Sequence, residues 1–131
     1  MIERLNPDRL HPPVGQSLIV VTTAKRLAFF AANALDSDGN LIGGDSFEAQ
    51  NEQVAKNIAI ALDELGADQT NIAKMTAYIV KYDASVHGPM IARALAKNPP
   101  DYRYPATMLI SVDGLARPDI LVEIEVIVAL D

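Results

Sequence analysis

Apolar and polar positions alternate most clearly at residues 122–130, which indicates a β-strand. Successive side chains of a strand point to opposite faces, so every second residue shares a face. One face of this segment is wholly apolar: Val122, Ile124, Val126, Val128 and Leu130. The other face carries Glu123, Glu125, Ile127 and Ala129. Runs of β-branched and other apolar residues predict four more strands, at 17–23, 26–33, 72–80 and 106–112.

A helical spacing of apolar residues lies between the second and third of these strands. The positions that recur three and four residues apart are Val54, Ile58, Ala61, Leu62 and Leu65. Asp45, followed by Glu48 three residues later, has the spacing of a capping box, and Gly66 suits a left-handed C-terminal cap. A shorter second helix is predicted with Pro89 in its first turn and its end before Pro99.

The predicted order is β-β-α-β-α-β-β, an α+β fold in one domain spanning residues 1–131. Residues 1–16 contain three prolines and little periodicity, so we expect an irregular lead-in. Ala24 and Lys25 separate two apolar runs, which predicts a hairpin between the first two strands.

The sheet has more apolar surface than two helices cover. Two helices cover one face of such a sheet, yet residues 27–32 are apolar on both faces and the last strand adds Ile127 and Ala129 to its charged face. An uncovered apolar face of this kind is typical of an interaction surface. The pattern therefore predicts self-association.

Composition excludes several classes of function. The chain has 131 residues, a net charge of −6 and no cysteine. The absence of cysteine excludes disulfides, thiol nucleophiles and thiolate metal sites, and the scattered basic residues argue against nucleic-acid binding. No run is long and apolar enough for a membrane span, and Met1 to Arg4 do not resemble a signal peptide. We expect a cytoplasmic protein.

An ordered set of residues resembles the Rid (reactive-intermediate deaminase, YjgF-like) family. In the first helix and the strand after it, the similar positions are Gln50, Gln53, Asn57, Leu62, Gly66, Ile72, Lys74, Thr76, Tyr78 and Val80. Pro105-Ala106 resembles the Pro-Ala-Arg segment of the family, and residues 121–125 resemble its C-terminal signature. The resemblance implies a chorismate-mutase-like fold and a homotrimer packed sheet to sheet. It also implies small-molecule clefts between subunits, without a cofactor.

The same resemblance implies a site that this chain retains only in part. The arginine that binds the substrate carboxylate in imine-deaminating members is replaced by Thr107, and the Ser-Gly-Gln-like stretch reads Ala31-Ala32-Asn33. Met90 stands nearest the position of a cleft asparagine, whereas the cleft glutamate is retained as Glu123. Glu123 is therefore the candidate catalytic residue. The candidate substrate-binding residues are Thr107, Asn33, Ala32, Met90 and Leu109.

Two functions remain open from the sequence. In one, Glu123 positions a water that hydrolyses an imine, enamine or related metabolite, although standard 2-imino-acid deamination is not expected without the arginine. In the other, the trimer binds a metabolite without catalysis, and Glu123 only faces solvent or an arginine. Thr107 either hydrogen-bonds a neutral ligand or has no role, and Asn33 either faces the cleft or stabilises the next turn. RNA cleavage is disfavoured by the charge of −6.

Other polar residues give weaker signals. His11 and His87 have no partner at metal-ligand spacing, so no metal site is expected. Asp83, Ser85 and His87 lie too close together in sequence for triad geometry. Three arginines are candidates to replace the missing guanidinium, with surface solvation as the simpler interpretation: Arg93, Arg103 and Arg117.

Overall fold

The computed structural model describes residues 1–131 and contains six strands, two α-helices and one 3₁₀ turn. In chain order these are β1 Ile2–Leu5, β2 Ile19–Thr22, β3 Arg26–Ala32, α1 Phe47–Glu64, the 3₁₀ turn Gln69–Asn71, β4 Ile72–Val80, α2 Ala84–Leu95, β5 Ala106–Val112 and β6 Val122–Leu130. The α+β class is confirmed. The predicted bounds of β4, β5 and β6 are also confirmed.

The main sheet has four strands in the order β3-β6-β4-β5. β6 pairs antiparallel with both β3 and β4, while β4 and β5 run parallel because α2 carries the chain back between them. The alternation predicted for β6 is present, since all five residues of its apolar face are buried. This face packs on α1 and contributes five of the thirteen buried residues of the core.

The N-terminal region differs from the prediction. Residues 2–5 form β1, which pairs antiparallel with β2 as a separate two-stranded sheet. The predicted hairpin between β2 and β3 is wrong, because β3 pairs only with β6 and β2 pairs only with β1. The chain does turn between them at residues 23–25. The N-terminal segment therefore contains regular secondary structure, whereas an irregular lead-in was predicted.

Both helices begin at positions other than those predicted. Ser46, not Asp45, is the N-cap of α1, and its hydroxyl oxygen accepts a hydrogen bond from the Ala49 N–H at 3.2 Å. Gly66 follows the helix with a φ of 65°, as predicted for a left-handed residue after its end. α2 starts at Ala84, so Pro89 lies inside the helix and not in its first turn.

Buried amides on α1 anchor this helix to the loops around it. Gln50 donates from Nε2 to the carbonyl oxygens of Gly44 (2.7 Å) and Asp119 (2.9 Å), and its Oε1 accepts from the Leu121 N–H at 2.9 Å. Asn57 donates from Nδ2 to the carbonyl oxygens of Asn33 (2.7 Å) and Leu35 (2.8 Å). These polar residues of the first helix therefore stabilise the fold.

The two faces of the sheet have different surroundings. Both helices lie on the face that carries Met75, Ala77 and Ile79. The opposite face, called the outer face below, is incompletely covered and carries apolar side chains beside the charged residues Lys74, Glu123 and Glu125. Its exposed or half-buried apolar residues are Leu27, Phe29, Met108, Ile110 and Ile127.

Candidate functional site

A large cavity lies between the helices and the sheet, and is called the helix-side cavity below. Its volume is about 840 Å³, and 19 of the 28 residues that line it are hydrophobic. Known ligand pockets fall in the same range of volume and are also mostly apolar. The sheet contributes Ile72, Met75, Ala77, Ile79, Thr107, Leu109, Val122 and Ile124. The helices contribute Phe47, Asn51, Ala55, Ile58, Ala59, Leu62, Asp63, Ile91, Ala94 and Leu95.

The cavity exists because α2 packs loosely over small side chains. None of the residues of α2 is buried, whereas α1 buries five. Alanines line the space where larger side chains would fill it, at Ala55, Ala59, Ala77 and Ala94. The space is partly open to solvent, because exposed residues such as Asp63 and Gln69 belong to its lining. The space is therefore a feature that a ligand or a partner can occupy.

Two segments outside the helices flank the open end of the cavity. Residues 14–16 form one side, and glycine is favoured at position 15 because its φ of 69° is left-handed. Tyr102 and Tyr104 form the other side, with their rings in edge-to-face contact at 4.8 Å. The hydroxyl of Tyr104 donates to the Leu95 carbonyl oxygen at 3.4 Å, which ties this segment to α2.

Two of the residues chosen from the sequence line the helix-side cavity. Thr107 and Leu109 lie two positions apart on β5, opposite Met75 and Ala77 of β4, and therefore share the helix side of the sheet. The Thr107 hydroxyl donates to the Pro105 carbonyl oxygen at 3.1 Å. Leu109 is 36% exposed at the edge of the sheet.

Glu123 lies on the other side of the sheet. It stands opposite Tyr78 of β4, and its neighbours Val122 and Ile124 point into the core and the cavity. Glu123 is half-buried on the outer face and takes part in none of the four ion pairs of the chain. The sequence placed Glu123 and Thr107 in one cleft, whereas within one chain they occupy opposite faces.

The other three candidate binding residues do not line the cavity. Ala32 is buried in the hydrophobic core, and Met90 packs against that core from α2. The Asn33 side-chain oxygen accepts a hydrogen bond from the Leu35 N–H at 3.3 Å, which is a turn contact. Of the two roles open for Asn33, the structure shows the local turn.

The three arginines considered as replacements all have partners outside the cavity. Arg93 binds Glu48 at 2.9 Å, and Arg117 binds Asp119 at 2.7 Å. Arg103 donates to the Arg4 carbonyl oxygen at 2.8 Å. None of them lines the helix-side cavity, and its lining contains no lysine, arginine or histidine.

The Asp83, Ser85 and His87 cluster caps α2. The Asp83 carboxylate accepts from the Ser85 N–H at 2.9 Å and from the Ser85 hydroxyl at 2.6 Å. The His87 ring packs between Phe47 and Tyr82. No three His, Cys, Asp or Glu side chains are grouped to hold a metal ion, and neither helix has the length and apolar character needed to cross a membrane.

Sequence reasoning missed most of the cavity lining. Tyr102 and Tyr104 lie just before Pro105 in the sequence. These two aromatic residues beside a position of the family resemblance were the one sequence feature that pointed to the opening of the cavity. Gln69 and Asn98, two of the polar lining residues, gave no signal because nothing in their local sequence relates them to β5.

Comparison with known proteins places these features in a family. Residues 13–130 match the family described as endoribonuclease L-PSP. AldR of Lactococcus lactis, for which a regulator role has been suggested, is 36% identical over 87 residues, which are 66% of this chain and 64% of that protein.

Solved structures show the same fold. The crystal structure of YyfB from Yersinia pestis, a Rid-family protein of unknown function, matches with a TM-score of 0.91 at 26% identity over 98% of both chains. YyfA from the same organism, also a Rid-family protein of unknown function, matches with a TM-score of 0.66 at 24% identity, over 99% of this chain and 100% of that one.

Proposed function

The chain belongs to the Rid (YjgF-like) family, described as endoribonuclease L-PSP, and from this premise we propose that it binds a small, largely apolar molecule in the helix-side cavity. The observation that supports this most directly is the cavity itself, with about 840 Å³ of mostly apolar lining. Thr107 supplies a neutral polar group on the β5 wall, where the resemblance implies an arginine in deaminating relatives. Binding of a largely apolar molecule would remove its surface from water, and this burial would supply most of the favourable free energy of binding.

The lining argues against the short, charged substrates of imine deamination. A carboxylate moved out of water needs a paired cation or several hydrogen bonds. The helix-side cavity has no basic side chain in its lining, and Asp63 and Asp68 add negative charge at its rim. A 2-imino acid lying wholly inside this space would therefore be bound poorly.

We further propose that three copies assemble through the outer face. Leu27, Phe29 and Met108 are exposed there in the single chain, at 47%, 68% and 50%. Packing sheet against sheet would bury these side chains and leave the helices outside. The family resemblance points to a trimer among the possible assemblies.

Binding can be tested with a neutral apolar dye such as Nile red, titrated with the purified protein. Leu109→Glu is expected to weaken the dye affinity at least about tenfold, because a charge at the cavity edge must be desolvated when the dye binds. Leu109 tolerates the change because it is 36% exposed at a sheet edge. Ile60→Glu is the matched control, since Ile60 is 66% exposed on α1 outside the cavity. Equal dye affinities for both variants would contradict the proposed site.

A second candidate function is hydrolysis of an imine or enamine at a cleft between subunits, with Glu123 positioning a water. The observation that favours it is the half-buried Glu123 carboxylate on the outer face, which has no ion-pair partner in the chain. A neighbouring copy packed against this face would enclose the carboxylate in a cleft, where it can accept a hydrogen bond from the attacking water.

This second function is tested with the imine formed from serine or threonine by a dehydratase. We expect no turnover above background, because no guanidinium stands at position 107 to pair with the substrate carboxylate. Thr107→Arg supplies the missing guanidinium and tests whether its loss alone abolishes turnover; Thr107 and Glu123 of one chain lie on opposite faces, so turnover by this variant requires neighbouring copies to bring the two positions together. Turnover by the unmodified protein that is lost in Glu123→Gln would establish the hydrolase instead.

A further inference from the structure

A cationic depression adjoins one end of the helix-side cavity. Its volume is about 350 Å³, and only one of its seven lining residues is hydrophobic. Gln69 and Tyr102 line both spaces, so the two adjoin along these side chains. Arg4 and Arg103, called the arginine pair below, supply the two positive charges of the depression.

The arginine pair is held in place without being neutralised. Nη2 of Arg4 donates to the carbonyl oxygens of Thr70 at 2.8 Å and Ile72 at 3.4 Å, and Nη2 of Arg103 donates to the Arg4 carbonyl oxygen at 2.8 Å. All three acceptors are neutral, and none of the four ion pairs includes either arginine. Nε of Arg4 is buried and has no hydrogen-bond partner. The structure therefore positions the two guanidinium groups through neutral acceptors, and no carboxylate of the chain forms an ion pair with them.

The two guanidinium groups lie near each other, and neither forms an ion pair with the carboxylates around them. Burial lowers the pKa of Arg4, and the nearby positive charge of Arg103 lowers it further, so a negative charge beside them would be favourable. Two carboxylates lie close by. Asp68 already accepts from the Thr70 N–H at 2.8 Å and from the Thr70 hydroxyl at 2.5 Å, and Asp101 lines the depression without forming an ion pair.

Tyr102 stands where the two spaces adjoin and can donate a hydrogen bond. Burial raises the pKa of its phenol above the ordinary value of 10.0, so the hydroxyl stays protonated at neutral pH. A neutral donor beside two guanidinium groups is suited to bind an acid group.

We propose that the ligand of the helix-side cavity is an amphipathic monocarboxylate, whose acid group binds the arginine pair while its apolar chain lies in the cavity. This inference rests on the proposed binding function and names the class of ligand. The position is distinct from Thr107, where the family resemblance implies the carboxylate-binding arginine, because Thr107 lines only the apolar space.

The inference is tested by calorimetric titration of the full chain with octanoate and with 1-octanol. The two probes have the same chain length and differ in their head group. Octanoate is expected to bind at least about tenfold more tightly, because a charge-assisted hydrogen bond contributes about 1.5–3 kcal/mol and tenfold corresponds to about 1.4 kcal/mol. Arg103→Gln is expected to remove most of this preference by weakening octanoate binding much more than 1-octanol binding.

Matched variants separate the possible outcomes. Arg9→Gln removes the same charge from an exposed arginine outside both spaces and should keep the preference. Arg103→Lys keeps the positive charge but lacks the planar guanidinium, so it should keep part of the preference for octanoate. A partial preference in this variant would show that the loss in Arg103→Gln does not come from a folding defect. Equal binding of the two probes, or an unchanged preference in Arg103→Gln, would overturn the acid-group inference alone. Binding of neither probe would overturn the proposed cavity function as well.

Discussion

The polar side chains singled out in the sequence divide into residues that hydrogen-bond the backbone and residues that remain candidates for chemistry. Gln50, Asn57 and Asn33 satisfy backbone groups around α1, and these contacts account for their polarity inside the fold. Thr107 and Glu123 remain candidates for chemistry, but the alternation of β-strands separates them, since β4 pairs with both strands and fixes which face each occupies. A role inferred for a residue from family resemblance can therefore be assigned only when the face on which its side chain lies is also known.

Gln50 provides a test of this structural assignment. Its side chain is fully buried and makes three hydrogen bonds to backbone groups of Gly44, Asp119 and Leu121. Gln50→Leu keeps the size but leaves those groups without partners, so we expect unfolding to become easier by at least about 2 kcal/mol in urea titrations. Gln53→Leu, which removes only a bond to Asn57, is the control and should have a smaller effect. Equal losses in the two variants would contradict the anchoring role.

Among the elements, α2 combines a strong N-terminal cap with weak packing. The hydrogen bonds from the Ser85 hydroxyl and N–H lower the pKa of Asp83 below its ordinary value of 3.8. Because the folded-state pKa is the lower one, the carboxylate stabilises the helix at pH values above about 3.8, and this contribution is lost as the pH falls through the folded value.

The pH dependence of Asp83 variants tests this cap. Asp83→Ala should lower the Tm at about pH 7, and the difference from the unmodified protein should narrow as the pH falls below 3.8 and through the lower folded-state pKa, where the native carboxylate becomes protonated. Asp83→Asn retains a neutral acceptor and should remain close to the unmodified protein at neutral pH. Thermal unfolding followed by circular dichroism measures both. A pH-independent loss in Asp83→Ala would show that the cap acts without its charge.

At the scale of elements, local patterns were reliable and pairings were not. β6 was predictable because its alternation is encoded within nine residues, and α1 because its apolar face repeats over several turns. β1 was missed because four residues next to a proline-containing segment carry little periodicity. The wrong β2–β3 hairpin has a different cause. Adjacent strands favour a hairpin locally, but pairing depends on distant strands, and here β3 pairs with the far end of the chain.

The site was less predictable than the fold for a physical reason. A cavity is the space left between elements, so its shape depends on how α2 is placed over β5 and not on any one segment. Thr107 and Leu109 were found because the family resemblance indicated that part of β5. The arginine pair joins residues 99 positions apart, through a side chain that binds a backbone carbonyl. No local pattern encodes that contact.

For the whole molecule, the uneven covering of the sheet is the dominant feature. The helix side holds the core and the cavity, whereas the outer face exposes large apolar side chains although the chain carries a net charge of −6. Contiguous apolar patches on a small protein mark interaction sites. The exposed apolar residues of the outer face are spread over β3, β5 and β6. A surface that extends across the sheet in this way matches a second sheet of the same size, so another copy of the chain is a suitable partner.

Phe29→Lys tests whether the outer face holds the proposed trimer together. The unmodified protein is expected to sediment with about three times the chain mass of 14.1 kDa. Phe29 is 68% exposed in the single chain and lies on β3 opposite Ile127, so a lysine there would place a charge inside the interface and shift the population toward single chains. Ile60→Lys is the control, because Ile60 is 66% exposed on the helix side and should leave the assembly intact.

Single chains of the unmodified protein at micromolar concentration would contradict the trimer. Dissociation by Ile60→Lys but not by Phe29→Lys would show that the copies associate through their helices instead, which would leave the outer face and Glu123 open to solvent.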